Sequence, residues 1–113
     1  MPDKIPLMLL EMVLLPGTQA ILRLEDGDAR KAVNKAYDEG YPIGVLYCHD
    51  ADDPVNTAAG VGCLANIVEC KAYEAEDGII ARLEGSERFT PLEMREEDSG
   101  LYRGGYDPLP EDV

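Results

Sequence analysis

Residues 5–17, Ile5 to Gly17, read IPLMLLEMVLLPG, a nearly unbroken apolar run set directly against a Pro-Gly pair. Its thirteen residues hold one charge, Glu11. The run is well short of the roughly 20 apolar residues of a membrane helix, and it lacks the basic start and small-residue cleavage site of a secretory leader. Pro6 and Pro16 bracket it, and each removes a backbone donor and restricts the residue before it. The expectation is therefore a first core strand that reverses at Pro16-Gly17. Met8, Leu10 and Met12 share one face of such a strand. That face is either part of the core or an exposed, adaptable stripe able to hold apolar peptide segments.

Outward from the turn, Gln19 to Leu24 reads as a second strand. The period then changes. Ala29, Ala32, Val33, Ala36 and Tyr37 recur at helical spacing, with Asp28 as expected N-cap and Gly40 as expected C′ residue, which predicts one principal helix over about 28–39. Tyr41-Pro42 stops that helix, and Ile43 to Cys48 reads as an interior strand. His49 to Gly60 has no apolar period and reads as a loop. Val61 to Tyr73 alternates with apolar residues on both faces, as in a covered or closed sheet. Asp77-Gly78 is a hairpin signal, followed by strands at Ile79–Glu84 and Arg88–Met94 separated by Gly85-Ser86. Leu101 to Tyr106 reads as a last edge strand. The fold class expected is α+β, mainly β: a six-stranded, mostly antiparallel pseudo-barrel with one helix, forming a single domain over 1–113.

Composition narrows function. A chain of 113 residues with 45% hydrophobic content suits one core. Ten Lys+Arg against 23 Asp+Glu give a formal net charge of −13, which opposes phosphate backbones and anionic membranes. No nucleic-acid or membrane partner is expected. Cys48, Cys63 and Cys70 are odd in number and follow no secretory signal, which suits a reducing, cytoplasmic setting and buried thiols. No C-x-x-C, second histidine or D-x-D-x-D-G register accompanies Cys48-His49 or Asp50, Asp52 and Asp53, so no metal is expected.

Catalytic machinery is equally sparse. There is no phosphate loop, no G-x-G-x-x-G and no G-x-S-x-G elbow, and the serines are Ser86 and Ser99 alone. No catalytic residue and no cofactor is assigned. Six tyrosines outnumber the single phenylalanine, Phe89, and tyrosine suits positions with one end buried and the other wet. They either serve ordinary packing at the barrel rims or mark a protein-binding surface. The candidate protein-binding residues are Met8, Leu10, Met12, Tyr47, Tyr73 and Tyr102.

Taken in order, the motifs resemble a known family. An apolar strand closing on Leu15-Pro16-Gly17, an Ala-rich helix, PIGVLY at Pro42–Tyr47, VGCLANI at Val61–Ile67, the G-x-x-R-[FY] element at Gly85–Phe89 and the closing Tyr102–Asp112 with PLPED are similar to the N-terminal, substrate-binding domain of the Lon family of ATP-dependent proteases. Leu15 stands where the family usually has an aromatic, and Glu11-Met12 where Arg-Asp is common. The resemblance implies a PUA-like pseudo-barrel and recognition of unfolded segments or degrons, or an adaptor role beside a separate ATPase or protease. It implies no hydrolysis, since 113 residues leave no room for ATPase and peptidase modules. The competing readings are a small-ligand sensor with its site at a barrel mouth near Tyr47 and His49, and an RNA-associated domain suggested by the PUA-like fold.

Overall fold

The computed structural model describes residues 4–24, 28–50, 52–72, 78–97 and 102–109. Among these residues, six strands and two helices follow in the order β1 (Ile5–Leu10), β2 (Gln19–Leu24), α1 (Asp28–Glu39), β3 (Ile43–Tyr47), α2 (Pro54–Thr57), β4 (Gly62–Ala72), β5 (Ile79–Glu96) and β6 (Tyr102–Pro108). Along the sheet the strands run β2-β5-β4-β3-β1-β6, and β5 pairs again with β6. That second pairing closes β5, β4, β3, β1 and β6 into a ring, with β2 attached outside it to the first half of β5. All pairs are antiparallel except β1 with β3. A mainly β, mostly antiparallel pseudo-barrel with one principal helix is thus observed.

The opening run ends as a strand sooner than its composition predicts. β1 stops at Leu10, whose carbonyl accepts the Cys48 N–H at 2.8 Å. The chain then bends over Glu11 and Met12 toward the turn. Leu15 to Thr18 forms that turn: Thr18 N–H donates to the Leu15 carbonyl at 3.1 Å, Pro16 holds the first corner, and Gly17 takes the second at φ 82°. These are the residue preferences of a type II turn.

α1 occupies the expected span. Asp28 is its first residue, not a cap outside it. Val33 and Ala36 are fully buried and Ala32 nearly so, against β4 and β1. Tyr37, placed on the same face by spacing, is exposed instead. The aromatic that seals this end is Tyr41, which packs against both core clusters. Gly40, at φ 74°, lets the chain turn there: Tyr41 N–H donates to the Ala36 carbonyl and Gly40 N–H to that of Tyr37, the paired bonds of a Schellman ending.

Three further expectations are corrected. The 49–60 segment is not all loop, since α2 forms one turn and Cys48 bridges Ala58. β5 runs unbroken through Gly85-Ser86: Cys63 pairs with Arg88 and Ala65 with Gly85, so one extra β5 residue is absorbed as a bulge and pairing resumes. β6 is not an edge, because it pairs with β1 on one side and β5 on the other; the edge strand among the described residues is β2. Of the Asp77-Gly78 hairpin signal, Asp77 lies outside the described residues.

Two apolar clusters fill the interior. The larger joins Met8, Leu22, Val33, Ile43, Val45 and Leu83 with their neighbours. The smaller centres on Phe89 with Ile5, Leu7, Leu46 and Leu64. Phe89 has no exposed surface, and its ring lies where a Cβ on Gly44 or Gly62 would sit, at 2.7 and 2.8 Å. Burying a ring of that size stabilises by roughly 2–3 kcal/mol, so Phe89 is the central element of the second core.

A candidate protein-binding site beside the Pro-Gly turn

The residues after Leu10 alternate without pairing. Leu14 turns inward and is buried, which leaves Val13 and Leu15 outward at 65% and 50% exposure. Tyr47, the last residue of β3, and Val61, just before β4, are also exposed, at 37% and 45%. These four side chains converge on a single hollow of 190 Å³. Its floor is Leu14, Val45 and Cys63, all members of the main core, and Gly62 and Arg88 complete its wall.

Gly85 holds the hollow open by fixing the turn. Gly17 N–H donates to the Gly85 carbonyl at 2.8 Å, and Gly85 N–H donates to the Thr18 carbonyl at 2.9 Å. The Thr18 hydroxyl donates to the Leu15 carbonyl at 2.6 Å and accepts from Leu15 N–H at 3.2 Å. Val13 and Leu15 are therefore carried by a turn tied to β5 by reciprocal backbone bonds. Leaving four large apolar residues exposed in one place costs solvation free energy, and such patches on soluble domains mark surfaces that are covered in use.

The described residues among those singled out by sequence fall in three groups. Tyr47 lies in the hollow. Met8 is buried in the main core, and Leu10 and Met12 are half-buried against it, so the first-strand stripe faces inward. Tyr102 packs half-buried on the smaller cluster, away from the hollow, and its phenol is pushed up by its hydrogen bond to Glu96 and then by burial. Tyr73 lies outside the described residues. Val13, Leu15, Val61 and Arg88 were not among the binding candidates read from the sequence. The available signal was the alternation Val13-Leu14-Leu15 next to a turn, where only the middle residue has a core to enter.

Other polar groups have local work. Asp50 accepts Asp52 N–H at 2.9 Å, and Asp53 accepts the Asn56 amide at 3.0 Å, so these acids organise the α2 turn. No group of three His, Cys, Asp or Glu among the described residues is placed to hold a metal ion. The Ser86 hydroxyl donates to the Leu64 carbonyl at 3.2 Å, an architectural bond from the β5 bulge to β4. All three cysteines are free. Burial pushes the thiols of Cys48 and Cys63 up, aided at Cys48 by Glu11 and Asp50 and opposed at Cys63 by a backbone hydrogen bond from Ser86 and by Arg88. Glu69 is held low by its bond to Lys71 at 2.9 Å and by Arg82. No helix among the described residues is long and apolar enough to cross a membrane.

A barrel closed by β5 and β6, a Pro-Gly turn seated on Gly85 and a buried Phe89 form one ordered set of features. The model of the substrate-binding domain of ATP-dependent protease La (Lon) matches residues 4–113. The chain belongs to the Lon substrate-binding domain family. Among solved structures it is similar to the Lon N-terminal domain protein from Xanthomonas campestris, at 26% identity and a TM-score of 0.81, over 97% of this chain and 62% of that one. The N-terminal domain of the Mycobacterium avium complex Lon protease shares the fold at 16% identity and a TM-score of 0.69, over 97% and 56%. The chain thus spans about three-fifths of the length of these two Lon structures. A search of curated proteins returns no match. The matched region is the family's substrate-recognition module and not its catalytic part.

Proposed function

We propose that this Lon-type domain binds extended, apolar segments of unfolded proteins in the hollow formed by Val13, Leu15, Tyr47 and Val61, and presents them to an ATP-dependent protease. The observation that carries this reading is the convergence of four exposed apolar side chains from three separate stretches of chain on one hollow. Family membership supports the same class of partner. The hollow is smaller than the roughly 300–1,000 Å³ of ordinary small-molecule sites, so it suits one or two side chains of a passing segment better than an enclosed metabolite. The net charge of −13 weighs against RNA. Three free thiols suit a reducing, cytoplasmic setting.

The test is binding of a permanently unfolded, carboxymethylated protein to the wild-type chain and to Val61→Asp, read by fluorescence anisotropy. Val61 is exposed, so the variant keeps its fold, with stability within about 0.5 kcal/mol of wild type. A charge set in an apolar contact is expected to weaken association about tenfold. Equal affinities would place binding elsewhere.

A further inference from the structure

We infer that Arg88 makes the hollow selective for segments in which an apolar residue adjoins an aspartate or glutamate side chain; this rests on the reading of the hollow as the binding site. Arg88 belongs to the G-x-x-R-[FY] element at Gly85–Phe89. Two of its letters are explained by packing. A Cβ on residue 85 would lie 2.3 Å from the Leu15 carbonyl oxygen, and Phe89 is the fully buried centre of the second core. Arg88 has no such role. It is exposed, and its side chain makes no ion pair or hydrogen bond with any described residue. Among the described residues that line the hollow it is the only charged one.

A guanidinium with no partner among the described residues, beside an apolar depression, offers a planar fork of donors that matches a carboxylate. The source of that carboxylate follows from the turn. Capture of a chain terminus usually relies on a nest of free backbone N–H groups. Here the N–H groups of Gly17 and Thr18 are committed to the carbonyls of Gly85 and Leu15. A side-chain carboxylate, which Arg88 can hold alone, is the better match. A phosphate dianion is disfavoured more than a single carboxylate by a chain of net charge −13.

The experiment uses the whole chain and two short, C-terminally amidated peptides that differ only in Leu-Glu against Leu-Gln. Wild type is expected to bind the Leu-Glu peptide about fivefold more tightly, the scale of an exposed ion pair, with the preference shrinking as salt rises. Arg88→Gln is expected to bind both peptides as wild type binds Leu-Gln. Arg88→Lys, which keeps the charge without the fork, is expected to retain only part of the preference. Equal wild-type affinities, or a preference that survives Arg88→Gln, would overturn the carboxylate inference and leave the apolar site standing. Failure of both peptides to bind would overturn the two together. Because the Glu-to-Gln change is made on the peptide, the result does not depend on any variant folding.

Discussion

Gly85 faces the backbone of Leu15 so closely that a Cβ on residue 85 would lie 2.3 Å from the Leu15 carbonyl oxygen and 3.1 Å from the Cys63 sulfur. This contact seats the Pro16-Gly17 turn on β5 and sets the side wall of the hollow. Backbone cannot yield as a flexible side chain can, so Gly85→Ala is expected to lower stability by about 2–3 kcal/mol. Gly60→Ala, where nothing lies within 4 Å, should change it by less than about 0.5 kcal/mol. Urea melts of both variants check this, and equal midpoints would contradict the seating of the turn.

The helix offers a second comparison. Val33 has no exposed surface and Lys31 points to solvent. Val33→Asp buries an unpaired carboxylate and is expected to cost more than about 4 kcal/mol, enough to unfold a domain of ordinary stability. Lys31→Asp should be nearly silent. Circular dichroism melts of the pair report the difference, and a harmless Val33→Asp would reverse the helix orientation.

Among the described residues, backbone strain sits at one that is not glycine. Glu93 has φ 50°, at the β5 bulge where Leu92 pairs with Gly105 and Arg95 with Arg103. Left-handed geometry costs an L-residue roughly 1–2 kcal/mol, part of which glycine returns through its greater unfolded freedom. Glu93→Gly is therefore expected to stabilise by about 0.5–1 kcal/mol. A lower melting temperature for Glu93→Gly would count against the bulge geometry.

Stability should also fall at both ends of the pH scale. The thiols of Cys48, Cys63 and Cys70 are raised above an ordinary value of 9.0, chiefly by burial, and Tyr102 above 10.0, chiefly by its bond to Glu96. Below those ordinary values folded and unfolded chains hold the same protons. Above them the unfolded chain ionises first, so stability present at neutral pH is lost as pH rises. At the acid end, Glu69 is lowered from 4.5, mainly by Lys71, and its contribution is lost as pH falls below that value. Melting temperatures measured from pH 3 to pH 11 should form a plateau with losses beginning near 4.5 and 9, and Cys48→Ala should soften the alkaline limb. An alkaline limb that stays flat past pH 10 would contradict the buried thiols.

Much of the fold was legible in local pattern. The 3.6-residue period over Ala29–Ala36, the Pro16-Gly17 turn and the apolar strand at Ile43 all reflect neighbours in sequence, and each reappears in the structure. What local pattern could not carry were contacts between distant segments. Gly85-Ser86 reads as a break, yet β5 continues through it because Gly85 admits the turn from Leu15. β6 reads as an edge until its partners on both β1 and β5 are known. The site was less legible still. Whether Met8 or Val13 faces solvent depends on where β1 ends, and that is set by the bond from Cys48 to Leu10 nearly forty residues away. Arg88 was visible only as one letter of a motif until the hollow gave its exposure a meaning.

The central claim is that the hollow beside the Pro-Gly turn is where unfolded segments bind, and site-specific photocrosslinking tests it most directly. A benzophenone side chain is placed at position 61, in the hollow, or at position 21, where Ile21 is 66% exposed on β2 and outside it. Each protein is then illuminated with the same unfolded partner. The account predicts abundant crosslinks from position 61 and few from position 21. Equal yields, or crosslinking from position 21 alone, would contradict it.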